Sequence, residues 1–267
     1  MRNRDNMAID MPEKSYITVI PIYKKQLSAD EEACVVKYAA VLQGTPIVFA
    51  APEHLDCAWY QERFPKIGYE RFADRFFTGT KSYNRLMLSE DFYRCFLNYE
   101  YLLVAQTDAV ILQDKNRIPE FIDMGYDYYG APWIPERRIW EWTFPRKKGF
   151  PGFRIVCCKK KGCGIKMGNG GFSLRNIRKC IALIHEFRHR KLYWFLKRNE
   201  DIFFGVFGRE NRCGFRLASV ECGMAFAREY HLRECIEKGD IPFAVHGWRK
   251  DFENYEEMQD CLQKAVM

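Results

Sequence analysis

Four places in this chain carry residue types and settings that could do chemistry. The first is Asp108, which closes the segment Tyr101-Leu-Leu-Val-Ala-Gln-Thr-Asp108, where an apolar run delivers a carboxylate into a polar tripeptide. An isolated buried charge is strongly disfavoured, so Asp108 needs a positive partner. A hard divalent cation, manganese or magnesium, bridging a diphosphate is an economical one. A helix-capping or Arg-paired aspartate is the plainer reading of a lone Thr-Asp dipeptide. The second is His246, in Ile241-Pro-Phe-Ala-Val-His-Gly-Trp248, after a short strand and before a glycine turn. A histidine in that setting is commonly a hydrogen-bonded structural residue, yet imidazole is also a common metal ligand, and one Asp, one His and a diphosphate leave room for water.

The third is Gly168-Asn-Gly-Gly-Phe-Ser-Leu174. Three glycines around Asn169 permit positive φ and close approach of a ligand to the backbone, with Phe172 and Leu174 starting a strand beneath; a structural tight turn is the alternative. The cluster has neither the G-K-[ST] of a phosphate-binding P-loop nor a G-x-G-x-x-G dinucleotide fingerprint. The fourth is Asn199-Glu-Asp201, after a basic helix end and before Ile202-Phe-Phe204. It reads either as a helix N-cap or as a carboxylate base accepting the proton of an acceptor hydroxyl in a displacement at an anomeric carbon.

The elements that must position these residues begin with Tyr16-Ile-Thr-Val-Ile-Pro-Ile-Tyr23, a short apolar, β-branched run that reads as a buried strand. Ser28-Ala-Asp-Glu-Glu32 supplies an N-cap and first-turn acids for a helix whose spacing puts Ala33, Val36, Ala40 and Val41 inward. Pro46-Ile-Val-Phe-Ala-Ala51 follows as a second strand, and the three together form a βαβ unit with parallel strands. Arg71–Phe77 reads as a further strand, Ser82–Asn98 and Ile177–Arg198 as helices, and Tyr101–Ala105 as a continuous buried strand. In open α/β sheets ligands collect beyond the carboxyl ends of strands, which makes Asp108 a site candidate by position. After Ala218 the pattern predicts short strands and turns, then a terminal helix near Tyr255–Val266.

At 267 residues, 48% of them hydrophobic and 29% charged, the chain has the length and composition of one folded globular domain, which excludes a disordered or fibrous reading. No stretch approaches the roughly 20 apolar residues of a membrane-spanning helix, and Met1–Lys14 is polar rather than signal-like, so the expectation is a cytoplasmic protein with reduced cysteines. The odd count of eleven cysteines agrees with that, and Cys157, Cys158 and Cys163 lack the paired spacing of a structural zinc site. A net charge of +7 favours anionic partners without choosing between nucleotide diphosphates, acidic lipids and nucleic acid. Residues 134–167 form a basic and aromatic insertion, readable as a solvated surface segment, a flap over substrate, or a surface that meets anionic lipid.

The order of these signals, with Tyr126-Asp-Tyr-Tyr-Gly-Ala-Pro-Trp133 between the first and third, resembles a poorly characterised family of predicted bacterial glycosyltransferases first catalogued as a domain of unknown function. That family is similar to the GT-A nucleotide-sugar transferases, and the resemblance runs from about Tyr16 to Trp248. It implies an α/β, GT-A-like mixed sheet with flanking helices in a single domain over residues 15–250, preceded by a disordered extension over 1–14 and followed by a C-terminal helix in 251–267. By the same resemblance Pro21, Ile22 and Tyr23 cradle the nucleobase, and Gln106-Thr107-Asp108 occupies a D-x-D-like position. Only the last acid of that motif is present, so a divalent metal (Mn or Mg) would rest on Asp108 and His246. Asn169, Gly170 and Gly171 would line the sugar pocket, Asp201 or Glu200 would serve as base, and Arg85, after Asn84, would meet donor phosphate. The implied partners are a nucleotide-sugar donor, with a UDP-sugar expected, and a glycan or lipid-linked acceptor in surface polysaccharide synthesis. A peripheral contact with anionic membrane is compatible with the basic surface, and no nucleic-acid partner is expected.

Two other functions fit parts of the pattern. A sugar nucleotidyltransferase could use a similar sheet, but it would show a Gly-rich basic loop after the first strand, and Pro21-Ile-Tyr-Lys-Lys25 has no glycine. A nucleic-acid-binding module could use the aromatic and basic insertion, yet it leaves Asp108, Glu200 and Asp201 without a role.

Overall fold

A computed structural model describes residues 15–137, 142–144, 153–155, 165–189, 199–209 and 211–266. The extension over residues 1–14 lies outside them, as does most of the 134–167 insertion. The chain runs β1 (Tyr16–Pro21), α1 (Ala29–Val41), β2 (Ile47–Pro52), α2 (Ala58–Arg63), β3 (Gly68–Phe72), α3 (Thr80–Met87), α4 (Glu90–Arg94), β4 (Tyr101–Ala105), β5 (Ala109–Ile111) and α5 (Ile118–Asp123). It continues through β6 (Tyr128–Arg137), β7 (Trp142–Phe144), β8 (Phe153–Ile155), β9 (Ile165–Asn176), α6 (Ile177–Phe187), α7 (Glu200–Phe207), α8 (Val220–Phe226), β10 (Ala227–Arg228), α9 (Leu232–Glu237), β11 (Ala244–His246) and α10 (Tyr255–Val266).

The main sheet has six strands in the order β3-β2-β1-β4-β9-β6. Its first four strands are parallel, as the opening βαβ unit predicts, and β9 runs antiparallel to both of its neighbours. Strands β1 and β4 are buried along their whole length, which is why their sequences are apolar runs rather than alternating ones. A second, three-stranded sheet, β10-β11-β5, packs with α9 and α10 around a smaller apolar cluster that includes Cys34, Val110, Val245, Trp248 and Met258. Strands β7 and β8 pair in an antiparallel ribbon within the insertion.

Several expectations are corrected. On α1 the buried residues are Cys34, Val35, Tyr38 and Val41, while Val36 is 52% exposed. The helix is turned by Tyr38, whose hydroxyl donates to the carbonyls of Gln106 (2.9 Å) and Ala109 and so points into the sheet. The third strand lies earlier than Arg71–Phe77, at Gly68–Phe72, and Asp74–Phe76 is a 3₁₀ turn. Ser82–Asn98 is two helices, α3 and α4, broken at Leu88-Ser89, where Leu88 ends one and Ser89, in extended conformation, stands at the N-cap position of the next. The region after Ala218 holds two short helices, α8 and α9, besides its strands. The glycine cluster is the interior of strand β9 rather than a tight turn. The part of the predicted Ile177–Arg198 helix beyond His189 lies outside the described residues. The described cysteines are free.

Candidate active site

Strands β1 and β4 lie side by side and parallel, so their carboxyl ends open on one edge of the sheet, where a cavity of about 390 Å³ forms. That is a size suited to a small-molecule ligand. Pro21 and Tyr23 bound it from β1 and the loop after it, Gln106, Thr107 and Asp108 from the turn after β4, and Tyr83 from α3. Tyr23 is 60% exposed and leaves an aromatic face available at the mouth. Ile22 is buried beneath, its N–H donating to Ala50 O at 2.9 Å. Two of the contacts that hold the turn come from β9 and α1. Gln106 N–H donates to Gly171 O at 2.8 Å, and Thr107 Oγ1 donates to Glu31 Oε1 at 3.2 Å. Glu31 also closes the capping box of α1 with Ser28 and accepts from Lys24 Nζ at 2.7 Å. Burial pushes the Glu31 carboxyl up, and the Lys24 and Ser28 hydrogen bonds outweigh that and keep it ionised.

The register of the small sheet brings the two distant motifs together. β5 pairs antiparallel with β11 so that Ala109 faces His246, and Gly247 N–H donates to Asp108 O at 3.0 Å. His246 Nε2 consequently stands 3.3 Å from Asp108 Oδ1. The Asp108 side chain is 55% exposed, so it is not the buried charge that its place after an apolar strand suggests; the protein atoms crowded around it push the carboxyl up, and the His246 hydrogen bond and charge outweigh that and hold it below the usual carboxylate range. Gly171 makes room for this pair, because a Cβ there would overlap the His246 ring. His246 Nδ1 is buried without a hydrogen-bond partner.

The preceding glycine serves a second cluster. A Cβ on Gly170 would overlap Glu200 Oε1 and come within 2.7 Å of Arg175 Nη2, and the Gly170 N–H donates to Asp201 Oδ1 at 2.9 Å. Arg175, completely buried on β9, donates to Glu200 Oε1 (3.1 Å), Ser173 Oγ (2.9 Å), Tyr93 OH (3.0 Å) and Gly170 O (3.4 Å). Asn199 caps α7 by accepting from Ile202 N–H at 3.1 Å, and this cap sets both acids on the first turn, facing β9. Burial pushes the Asp201 carboxyl well above its ordinary value, the neighbouring Glu200 charge adds to that, and Arg175 only partly opposes it. Tyr83, which lines the cavity, feels both acids and Arg175, and burial raises its hydroxyl strongly.

The remaining predicted residues fall as follows. Asn84 is buried and its Oδ1 accepts from Glu200 N–H at 3.5 Å, which ties α3 to α7. Arg85 is exposed on α3. Asn169 is buried, its Oδ1 accepting from Gly171 N–H at 2.9 Å. Sequence reasoning missed Arg175, Glu229 and Lys250 as site residues and gave Glu31 and Tyr83 no role in the cavity. Glu229 is buried, accepts from Lys250 Nζ at 2.6 Å, and is kept ionised chiefly by that lysine against the cost of burial. A buried Arg flanked by strand residues was the one signal on offer, since a buried charge requires a partner.

Among the described residues no three or more His, Cys, Asp or Glu side chains gather as a metal site. Asp108 and His246 are a carboxylate and an imidazole side by side at the cavity edge. Two protein ligands suit a cation whose remaining positions are filled by diphosphate oxygens and water.

A family model described as "Protein of unknown function (DUF5672)" matches residues 66–246. The chain belongs to the DUF5672 family. The match takes in Asp108, the β9 glycines and the acids of α7, and ends on His246. Among solved structures, an active-site mutant of LgtC superposes on the DUF5672 chain with a TM-score of 0.54 at 13% identity, covering 94% of this chain and 95% of LgtC. The apo bifunctional glycosyltransferase WbbM gives a TM-score of 0.51 at 12% identity, covering 96% of this chain but 50% of WbbM, so the chain spans half of that protein's length. At these identities the likeness establishes a fold, the mixed α/β arrangement of GT-A glycosyltransferases. A comparison with curated protein sequences finds no match.

Proposed function

We propose that this DUF5672 protein is a glycosyltransferase that moves a sugar from a nucleoside-diphosphate sugar to a glycan or lipid-linked acceptor. The observation that carries the reading is the meeting of Asp108 and His246, 3.3 Å apart, at the edge of a cavity beyond the carboxyl ends of β1 and β4. The nucleoside lies against Tyr23 and Pro21, with its diphosphate toward Asp108 and His246, the two residues that would hold a manganese or magnesium ion. Bound there, the metal supplies positive charge beside the departing nucleoside diphosphate.

The chain's own residues do the rest. Gly170 and Gly171, lacking side chains, leave the space that the Glu200–Asp201–Arg175 group and the His246 ring occupy against β9, and so serve the site by positioning those side chains rather than by lining a sugar pocket. Asp201 takes the proton of the acceptor hydroxyl as that oxygen bonds to the anomeric carbon and the bond from the anomeric carbon to the diphosphate oxygen breaks. Glu200 is engaged by Arg175, and so its part is to hold Asp201 in place and to raise its proton affinity. A cytoplasmic location, with peripheral contact of the basic surface on anionic membrane, accords with the +7 net charge, and no described helix is long and apolar enough to cross a membrane.

The test is incubation with a panel of nucleotide sugars and manganese. Release of nucleoside diphosphate supports transfer, while release of pyrophosphate selects a sugar nucleotidyltransferase instead. Asp201→Asn retains donor binding and loses turnover; a fully active variant removes the assigned base.

A further inference from the structure

Beside the Asp108–His246 pair lies a buried charge that the proposed transfer does not use. Glu229 directly follows β10, whose parallel register with β11 sets Ala227 level with Ala244 and Arg228 level with Val245; the next step brings Glu229 level with His246. The carboxylate is 9% exposed, and among the described residues it does not gather with Asp108 and His246 into a three-ligand group. It stands next to the pair without joining it. A buried charge is costly unless it is paired, so the partners of Glu229 define its part.

Two side chains answer it, and each belongs to a segment that meets His246. Lys250 Nζ donates to Glu229 Oε1 at 2.6 Å, and the Asn169 side chain approaches the same carboxylate from β9. Burial pushes the Glu229 carboxyl up; Lys250 and Asn169 outweigh that, and the His246 charge acts in the same direction. From Asn169 the contacts run on through Oδ1, which accepts from Gly171 N–H at 2.9 Å, and Gly171 is the residue whose missing Cβ leaves space for the His246 ring. Gly171 O then accepts from Gln106 N–H at 2.8 Å, at the start of the turn that carries Asp108. From Lys250 they run the other way. Lys250 ends the 3₁₀ turn Trp248–Lys250 and its N–H donates to Gly247 O at 3.1 Å. Gly247, with φ +66°, has Lys250 Cε within 3.3 Å of where a Cβ would stand, and its N–H donates to Asp108 O at 3.0 Å. Glu229 therefore closes a ring of contacts, through Asn169, Gly171, Gln106, Gly247 and Lys250, around the imidazole.

That ring matters because the imidazole lacks the bond that ordinarily fixes such a group. A metal-ligating histidine is generally oriented by a hydrogen bond at its second ring nitrogen. His246 Nδ1 is buried and, among the described residues, has no hydrogen-bond partner. Its orientation toward Asp108 then depends on packing against Gly171 on one side and on the placing of the turn at Gly247 on the other. Glu229 ties those two together.

We infer that Glu229 is a positioning residue of the donor site: by holding Lys250 and Asn169 it fixes the His246 ring beside Asp108 in the orientation that a cation and a diphosphate require. The inference rests on the glycosyltransferase reading of that site and adds to it a residue that touches neither donor nor metal.

Calorimetric titration of UDP into the full chain, with and without manganese, tests it on the native protein, Glu229→Gln, Lys250→Met and the double variant. Glutamine keeps the shape of the side chain and removes its charge. Groups that orient a metal ligand typically contribute about 10–100-fold to metal affinity. Glu229→Gln is accordingly expected to cut the gain in UDP affinity that manganese brings by about tenfold, with manganese-free UDP binding as in the native chain. Lys250→Met, at the exposed end of the pair, is expected to lose the same part of the gain, and it decides the matter should Glu229→Gln fail to fold. The double variant is expected to lose no more of the gain than Glu229→Gln alone, because both changes break one contact. An undiminished gain, an additive loss in the double variant, or equal falls with and without manganese, the mark of a purely structural ion pair, overturns the inference and leaves Asp108 and His246 as the site. A native chain whose UDP binding ignores manganese removes the reading of the site, and the inference with it.

Discussion

Replacing Arg175 by methionine tests the buried charge cluster behind the proposed base. The guanidinium is fully buried and donates to four groups, of which Glu200 Oε1, at 3.1 Å, is the charged one. Methionine fills similar volume but leaves Glu200, itself 2% exposed, as a buried carboxylate without its counter-ion. Removing one partner of a buried pair costs about 3–5 kcal/mol, because the surviving charge stays uncompensated. That is a large part of the ~5–15 kcal/mol that holds a folded domain together. With a urea m-value near 3 kcal/mol/M, the midpoint should fall by about 1 to 1.7 M. Glu200→Gln in the same chain removes the stranded charge, so Arg175→Met with Glu200→Gln should be more stable than the sum of the single effects by about 1–3 kcal/mol. Urea unfolding of the native chain, both single variants and the double variant reads all of this. A cost below about 1 kcal/mol for Arg175→Met, or strict additivity of the pair, would refute the claim that Arg175 exists to neutralise Glu200.

Two further outcomes follow from the same geometry. Asp201 has a folded-state proton affinity raised by burial and by Glu200, so its contribution to stability is fully present below the unfolded carboxylate value and is lost as pH rises through the raised folded one. Asp201→Asn lacks that loss, and its Tm relative to the native chain should increase from pH 5 to pH 8; a constant difference contradicts the assignment. Gly171→Ala puts a Cβ into the His246 ring and should cost about 1–3 kcal/mol of stability while abolishing the manganese dependence of UDP binding, read by calorimetry with and without the metal. Undiminished dependence would show that His246 is free to move.

The parts of the fold that could be read from sequence are those in which one periodic pattern serves one purpose. β1, β2, β4, α1 and the terminal helix announce themselves because their apolar runs or caps answer to burial alone. β9 does not, because Gly168, Gly170 and Gly171 are turn residues by local preference and are kept in a strand by what crowds against them. Trp133, the Glu200–Asp201–Arg175 group and His246 take the space that their side chains would fill. α1 was placed but rotated wrongly, since an aliphatic spacing argument gives Tyr38 no credit for two distant carbonyl partners. The candidate site divides in the same way. Asp108, His246 and Asp201 stand out by type and by position at element ends. Glu229 and Lys250 do not, because their relevance depends on the parallel register of the two-residue strand β10 with β11, which no local pattern encodes.

The central claim is that Asp108 and His246 act together on the diphosphate of a nucleotide. Calorimetric titration of UDP in the presence and absence of manganese, on the native chain, Asp108→Ala and His246→Ala, measures it most directly. Metal-strengthened binding in the native chain, lost to a similar degree in both variants while their Tm values stay close to native, is the predicted result. UDP affinity that ignores manganese in the native chain, or survives intact in either variant, would contradict it.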